Sequence, residues 1–312
     1  SVSAVVTNPA GNASASSTPA TFALDITAPP TPSLTIPEGP AVNAAENADG
    51  IQTTVTLPAG AVAGDLITLT IQRPDGSTFF VTKPVTAAEA TTGSAAVTIP
   101  AQSMQGVYAV TPKLTDAAGN ESAGTAQNFT LDSVAPSAIS APDMTSATDL
   151  GLSNTDNITS NNTPTFTLPA GSVQPGDTVQ LLVNGAVVTA TVTINGDGSV
   201  IATPSSGIAD GTNIPVAFRV TDAAGNTTTS PTLTITIDTG VPSAPTGIDL
   251  VTTSDTGTWT TDNLTKDDTP TISGGGATPG AIIKLYDTDG TTVIGTATAD
   301  AAGAWSITPV AA

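Results

Sequence analysis

The sequence repeats itself with a period of about 106 residues. The segment Thr-Asp-Ala-Ala-Gly-Asn at residues 115–120 returns unchanged at 221–226, and a related segment occupies residues 7–12. The segment Thr-Pro-Thr at residues 163–165 returns at 269–271 with the same offset of 106 residues. A fixed offset at this many positions indicates tandem structural units in one chain.

The repeat sets the expected domain boundaries. We expect residues 1–29 to be the C-terminal strands of a preceding repeat, and residues 30–135 and 136–241 to be two complete repeats. Residues 242–312 form an incomplete repeat, because they end before their own copy of the Thr-Asp-Ala-Ala-Gly-Asn segment. This last piece is expected to be poorly packed alone, or to be completed by a neighbouring molecule.

Within each repeat, apolar and polar residues alternate. Residues 67–72 read Ile-Thr-Leu-Thr-Ile-Gln, and residues 214–221 alternate in a similar way. Alternation of this kind is typical of antiparallel strands with one buried face and one solvated face. About seven short strands in about 106 residues match an immunoglobulin-like sandwich. The sequence therefore predicts an all-β fold of tandem immunoglobulin-like antiparallel β-sandwich domains arranged as an elongated rod.

Composition excludes several classes of function. The chain has no histidine and no cysteine, which removes the Ser-His-Asp triad, disulfides and most zinc sites. Its formal net charge is −20, and its 6 basic residues form no cluster that could neutralise nucleic-acid phosphates. No apolar stretch reaches the length of about 18–20 residues that a membrane span requires, so we expect no membrane insertion in this segment. We expect no enzyme activity, and an export signal outside this piece.

The acidic residues point to a divalent cation. In an immunoglobulin-like sandwich, acidic loops from successive repeats would face the same short linker. Two carboxylates at about 4 Å repel by about 4 kcal/mol at an effective dielectric constant near 20, and Ca²⁺ relieves this with six to eight oxygen ligands. Calcium would then turn a flexible string into a rod. The predicted sets are Asp25 with Asp65 and Asp116; Asp132 with Asp222, Asp177 and Glu46; and Asp238 with Asp149, Asp156 and Asp210.

Each of these features has a second interpretation. The Asp-Ala-Ala-Gly-Asn segment is also a good β-turn, in which the aspartate accepts hydrogen bonds from turn amides. Both interpretations stay open for any single aspartate. Trp259 and Trp305 could stack on a sugar, whereas packing in the core or at a sheet edge is the alternative that we favour.

A family resemblance follows from the combined motifs. Three motifs recur along the chain in a fixed order. The first is Thr-Asp-Ala-Ala-Gly-Asn, and the second is Asp-x-x-Ala/Val-Pro. The third is Thr-Asp-Asn-x-Thr-x-x-x-Thr-Pro, in whose place residues 43–46 read Asn-Ala-Ala-Glu. This combination resembles the bacterial Ig-like repeats of giant type I-secreted adhesins, such as the large non-fimbrial Salmonella adhesin and Bap-type biofilm proteins. The resemblance implies export by the type I secretion machinery, retention on the bacterial cell surface, and a distal tip that contacts a host-cell or matrix surface, with glycans among the candidate ligands.

The resemblance also implies calcium between domains. It maps this role onto Asp25, Asp116, Asp132, Asp222 and Asp238, with a second group made of Asp149, Asp156, Asp255 and Asp262. The first complete repeat departs from the pattern, because it has Glu46 and Asp49 in place of the Thr-Asp-Asn segment.

Three functions are consistent with the sequence. The favoured one is a repetitive, calcium-stiffened segment of a secreted adhesin that mediates attachment to host cells or biofilm, with a role in virulence. The others are a glycan- or protein-binding module and an accessory segment of a secreted polysaccharide-degrading enzyme.

Overall fold

The computed structural model describes residues 1–309. Its contacts divide the chain into two compact units. The first comprises Ser1–Ile158 with Thr163–Thr236, and the second comprises Thr159–Asn162 with the residues from Ile237 onward. None of the helices among residues 1–309 has the length and hydrophobicity that a membrane span needs.

Repeat I (residues 30–135) is a sandwich of two sheets joined by short turns. Its elements are β1 (Ser33–Thr35), β2 (Ala41–Val42), α1 (Ala44–Ala48), β3 (Ile51–Thr56), β4 (Leu66–Gln72), β5 (Thr78–Pro84), α2 (Ala87–Thr92), β6 (Ser94–Ile99), β7 (Gly106–Thr115), β8 (Glu121–Ala123) and β9 (Gln127–Leu131). One sheet has the order β1-β3-β6, and the other has the order β2-β9-β7-β4-β5 with β8 also on β7. The pairings are antiparallel except that of β2 with β9, which is parallel.

The core of repeat I lies between these sheets and follows the predicted alternation. Ile67, Leu69 and Ile71 of β4 are fully buried. On the core face of one sheet, the rings of Tyr108 and Phe129, which are paired on the neighbouring strands β7 and β9, stack with their centroids 4.8 Å apart. Burial of the apolar face of each strand against the facing sheet is the main stabilising term of such a sandwich.

The two short helices were not predicted from the sequence. Each begins with a capping box, in which the N-cap side chain binds the third helical amide and the glutamate there binds the N-cap amide. The pairs are Asn43 with Glu46 in α1 and Thr86 with Glu89 in α2. The helices span only five and six residues, which is too short for a helical pattern of apolar residues to appear.

Repeat II (residues 136–241) is built from strands of the same kind. They are β10 (Asp143–Met144), β11 (Ile158–Thr159), β12 (Phe166–Leu168), β13 (Thr178–Val183), β14 (Ala186–Val188), β15 (Ala190–Ile194), β16 (Val200–Pro204), β17 (Gly211–Thr221), β18 (Thr227–Thr229) and β19 (Leu233–Ile237). One sheet has the order β10-β12-β16-β15. In the other, β13 lies between β14 and β17, and β18 also pairs with β17.

The C-terminal repeat (residues 242–309) forms two smaller sheets. Its strands are β20 (Thr246–Leu250), β21 (Ile272–Gly275), β22 (Ile282–Tyr286), β23 (Val293–Thr298) and β24 (Trp305–Ile307). One sheet has the order β20-β21-β24, and the other pairs β22 with β23. The prediction of an all-β chain of tandem immunoglobulin-like sandwiches is confirmed.

Candidate functional site

The turn between β17 and β18 is held by the carboxylate of Asp222. Its Oδ1 accepts hydrogen bonds from the amides of Ala224, Gly225 and Asn226 at 2.8–2.9 Å. Its Oδ2 accepts a hydrogen bond from Nδ2 of Asn226 at 2.9 Å. This carboxylate is therefore used by its own turn, as the β-turn interpretation of the repeated segment requires.

Asn226 connects this turn to repeat I. The side chain is only 6% exposed. Its Nδ2 donates to the carbonyl of Asp132 in the linker at 2.7 Å, and its Oδ1 accepts from the amide of Ala44 at 2.9 Å. Because Ala44 is the first residue of α1, one asparagine binds repeat II both to the linker and to the body of repeat I. Sequence reasoning missed this role, although Asn226 ends the repeated Thr-Asp-Ala-Ala-Gly-Asn segment.

The turn between β7 and β8 repeats the arrangement with fewer contacts. Oδ1 of Asp116 accepts from the amides of Ala118 and Asn120 at 2.9 Å. The hydrogen bond from the side chain of Asn120 lowers the pKa of Asp116 below its ordinary value. Nδ2 of Asn120 also donates to the carbonyl of Asp25, at 3.2 Å. The same asparagine thus contacts the preceding linker at both joints.

Beside each joint, a serine or threonine binds the first residue of its own repeat. Oγ of Ser122 donates to the carbonyl of Pro30 at 3.0 Å. Oγ1 of Thr228, at the equivalent position, donates to the carbonyl of Pro136. Each of these hydrogen bonds lies within one repeat, because Pro30 begins repeat I and Pro136 begins repeat II.

Two equivalent loops contain a buried carboxylate with a free oxygen. Asp149 and Asp255 are each 2% exposed. Oδ2 of Asp149 accepts from the amide of Asn157 at 3.1 Å, and Oδ2 of Asp255 accepts from the amide of Asn263 at 3.2 Å. In both residues Oδ1 is buried without a hydrogen-bond partner among residues 1–309. An unpaired oxygen of this kind is costly, so it marks a place where a cation would be stabilising.

Repeat I has an asparagine at the position equivalent to the buried aspartate of these loops. Asn43 stands 106 residues before Asp149 and replaces the aspartate with a neutral amide. Its Oδ1 is satisfied by the amides of Ala45 and Glu46 at the start of α1. A second unpartnered oxygen in repeat I belongs to Asp65, which is buried in the loop before β4 and uses only Oδ2, on the amide of Val62. Three of the predicted ligands, Asp65, Asp149 and Asp255, therefore carry an unused buried oxygen.

The other predicted ligands mostly bind their own backbone. Glu46 accepts from Asn43, Asp177 from Gln174, and Asp238 from Gly240, while Asp25, Asp132, Asp156 and Asp262 accept the amide two residues ahead. Asp210 is exposed just before β17. Within the described part of the chain, no three acidic side chains converge closely enough to hold one metal ion. A Ca²⁺ bound there would therefore take at most two of these carboxylates together with neutral oxygens and water, a donor set that suits its chemistry.

The two tryptophans occupy different environments. Trp305 is 6% exposed and packs in the core of the C-terminal repeat with Ile283 and Ile307, as the packing interpretation predicts. Trp259 is 70% exposed in the loop that follows Asp255. Trp259 thus has an aromatic face available to a ligand, and Trp305 does not.

Comparison with known proteins gives a family match over most of the chain. The model of a bacterial Ig-like domain matches residues 41–133, 136–239 and 242–312. No curated protein matches the chain.

Several solved structures are similar in fold. A tetra-tandem repeat in the extending region of a large adhesion protein is 22% identical, covering 99% of this chain and 72% of that one, with a TM-score of 0.26. Fibronectin(III)-like modules of CbhA from Clostridium thermocellum are 10% identical, covering 66% and 95%, with a TM-score of 0.37. Murine CEACAM1b is 16% identical, covering 66% and 100%, with a TM-score of 0.31. Because these TM-scores are below 0.5, the similarities support no functional argument.

Proposed function

Because the chain belongs to the bacterial Ig-like domain family, we propose that it is a repetitive spacer segment of a secreted adhesin retained on the bacterial cell surface. The spacer holds a distal tip away from the cell for attachment to host cells or biofilm. One observation carries the proposal: the same asparagine, Asn120 or Asn226, binds the preceding linker at two successive joints. A repeated joint suits a part whose task is to transmit position and force. It requires no catalytic group.

We also propose that calcium stiffens this spacer. The support is the buried, unpartnered Oδ1 of Asp65, Asp149 and Asp255, together with the formal net charge of −20. Removing a carboxylate oxygen from water without a partner is unfavourable, and a hard cation supplies the missing interaction. Asp149 and Asp255 occupy equivalent loops, so we expect equivalent ions there.

The experiment is a calcium titration of three proteins. They are the unaltered chain, the double variant Asp149→Asn with Asp255→Asn, and the control Asp143→Asn, which alters an exposed acid at the start of β10. At a free concentration of about 100 times Kd, each site stabilises the folded state by about 2.7 kcal/mol. We expect a higher melting temperature and a larger maximum dimension in X-ray scattering for the unaltered chain and the control.

Two outcomes would count against these proposals separately. Calcium that changes neither melting nor dimensions of the unaltered chain refutes stiffening by calcium. The spacer proposal is tested independently, by labelling intact cells of the producing bacterium with an antibody raised against residues 30–241. Labelling that appears only after the cells are permeabilised refutes a surface location.

A further inference from the structure

In one sheet of repeat I, the strand nearest the start of the repeat lies beside the strand nearest its end. These strands are β2 and β9, and they pair in parallel. The amide of Thr130 donates to the carbonyl of Pro40 at 2.7 Å, and the amide of Asp132 donates to the carbonyl of Val42 at 3.0 Å. A pull on the two ends of the repeat therefore moves β2 and β9 past each other along their length, so their hydrogen bonds carry the load together.

Repeat II contains the same pair of strands. β11 lies beside β19 in its sheet. The amide of Thr236 donates to the carbonyl of Asn157 at 2.9 Å, and the amide of Asp238 donates to the carbonyl of Thr159 at 3.0 Å. Donor and acceptor both advance by two residues, as they do in repeat I and as a parallel ladder requires. The arrangement therefore recurs in both complete repeats.

Repeat II adds a further link to the strand pair of repeat I. Nδ2 of Asn226 donates to the carbonyl of Asp132, the residue after β9, and its Oδ1 accepts from the amide of Ala44, two residues after β2. One side chain thus joins the C-terminal ends of both strands, where the amide of Asp132 also binds Val42. Asn226 is 6% exposed, so water competes poorly for its hydrogen bonds.

The turn that carries Asn226 allows this close approach. Gly225 has a φ of +99°, a conformation that residues with a Cβ rarely adopt. A Cβ there would also lie 3.2 Å from Nδ2 of Asn43, the residue between β2 and Ala44. Oδ1 of Asp222 binds three amides of the same turn and holds its shape. The side chain of Asn226 is therefore presented to repeat I in a fixed position.

We propose that segments 40–42 and 130–132 form a shear clamp that bears tensile load, and that Asn226 of repeat II locks this clamp. This role rests on the proposed function, because a spacer is stretched when the attached surface moves away from the cell. For repeat I to unfold under load, the hydrogen bonds of the clamp and those of Asn226 must break in one step. The resistance of repeat I to force therefore depends on the folded state of repeat II.

Single-molecule stretching at constant force tests the lock. The chain has no cysteine, so DNA handles attached to Thr31→Cys and Ala135→Cys load repeat I alone, while repeat II stays folded in the same chain. Both attachment residues are exposed. We expect Asn226→Ala to make repeat I unfold about tenfold faster, which corresponds to about 1.4 kcal/mol in the barrier. An unchanged circular dichroism spectrum shows that the variant is folded.

The matched control removes a buried hydrogen bond from the other sheet of repeat I. Oγ1 of Thr53, which is 2% exposed, donates to the carbonyl of Val97 at 2.6 Å. These residues belong to β3 and β6, which separate only after the clamp has broken. Thr53→Val should therefore unfold under load at the rate of the unaltered chain. Equal rates in Asn226→Ala and the unaltered chain, or an equal acceleration by both substitutions, would overturn the lock.

A second pair of attachment points tests the clamp without changing any core residue. Ser33 faces Thr56 across β1 and β3, so handles on Thr31→Cys and Ala59→Cys pull from the same end of that pair and open it one hydrogen bond at a time. We expect repeat I to unfold at a lower force than it does through Thr31 and Ala135. Unfolding at the same force in both geometries refutes the clamp. These measurements do not depend on where the protein is located, so their outcome is independent of the labelling of intact cells.

Discussion

Removing the side chain of Asn226 should weaken the joint between repeats I and II. In Asn226→Ala, the Ala44 amide and the Asp132 carbonyl lose the partners that now lie 2.9 Å and 2.7 Å away. The asparagine is 6% exposed, so water replaces these hydrogen bonds poorly. A buried polar group left without a partner costs about 1–3 kcal/mol, so the two groups together predict a decrease of about 2–6 kcal/mol in the free energy of unfolding.

The chain contains a matched control for this change. Asn120→Ala removes the equivalent side chain, whose one linker contact is the longer hydrogen bond to Asp25 at 3.2 Å. Asn120 is half-buried, and water can reach the carbonyl that it leaves, so the expected loss is about 0.5–1.5 kcal/mol.

Urea denaturation and amide hydrogen exchange measure the two effects together. Denaturation gives the difference in free energy of unfolding between the variants. Hydrogen exchange at the Ala44 amide reports on the joint directly. The exchange rate of this amide should rise in Asn226→Ala and should stay the same in Asn120→Ala. If both variants lose the same stability and the Ala44 amide keeps its protection, Asn226 does not hold the joint.

Two further predictions concern single repeats. The hydrogen bond from Lys83 lowers the pKa of Glu89 from 4.5 to about 2, so this stabilisation is complete above about pH 4.5 and is lost as the pH falls through 2. Acid titrations followed by circular dichroism measure how the stability of the fold depends on pH. Lys83→Met should remove part of this dependence. Lys113→Met should leave it unchanged, because the partner of Lys113, Glu121, is 51% exposed. In Gly274→Ala, the new Cβ would lie 2.6 Å from Cζ2 of Trp305. We therefore expect the free energy of unfolding, followed by tryptophan fluorescence, to fall by about 1–3 kcal/mol. In the control Gly275→Ala, the new Cβ would meet no atom within 4 Å, so the free energy of unfolding should stay unchanged.

The acidic residues show where sequence reasoning reached its limit. The repeat offset correctly grouped Asp116 with Asp222 and Asp149 with Asp255. It could not distinguish a carboxylate used by its own turn, such as Asp222, from one with a buried free oxygen, such as Asp149. The two kinds share residue type and repeat periodicity and differ in the atoms packed around them. Calcium binding therefore stays a prediction for every one of these acids.

The sequence by itself determined the β fold, the alternation of buried and exposed residues, and the position of the turns. These depend on neighbours within a few residues or on the 106-residue period, which can be seen along the chain. The tertiary structure decided which groups meet through space. Asn226 and Ala44 are 182 residues apart, and Asn120 occupies the equivalent position with no such partner among its hydrogen bonds within residues 1–309. A hydrogen bond depends on distance and direction between two atoms, and the packing of one repeat on the next fixes both.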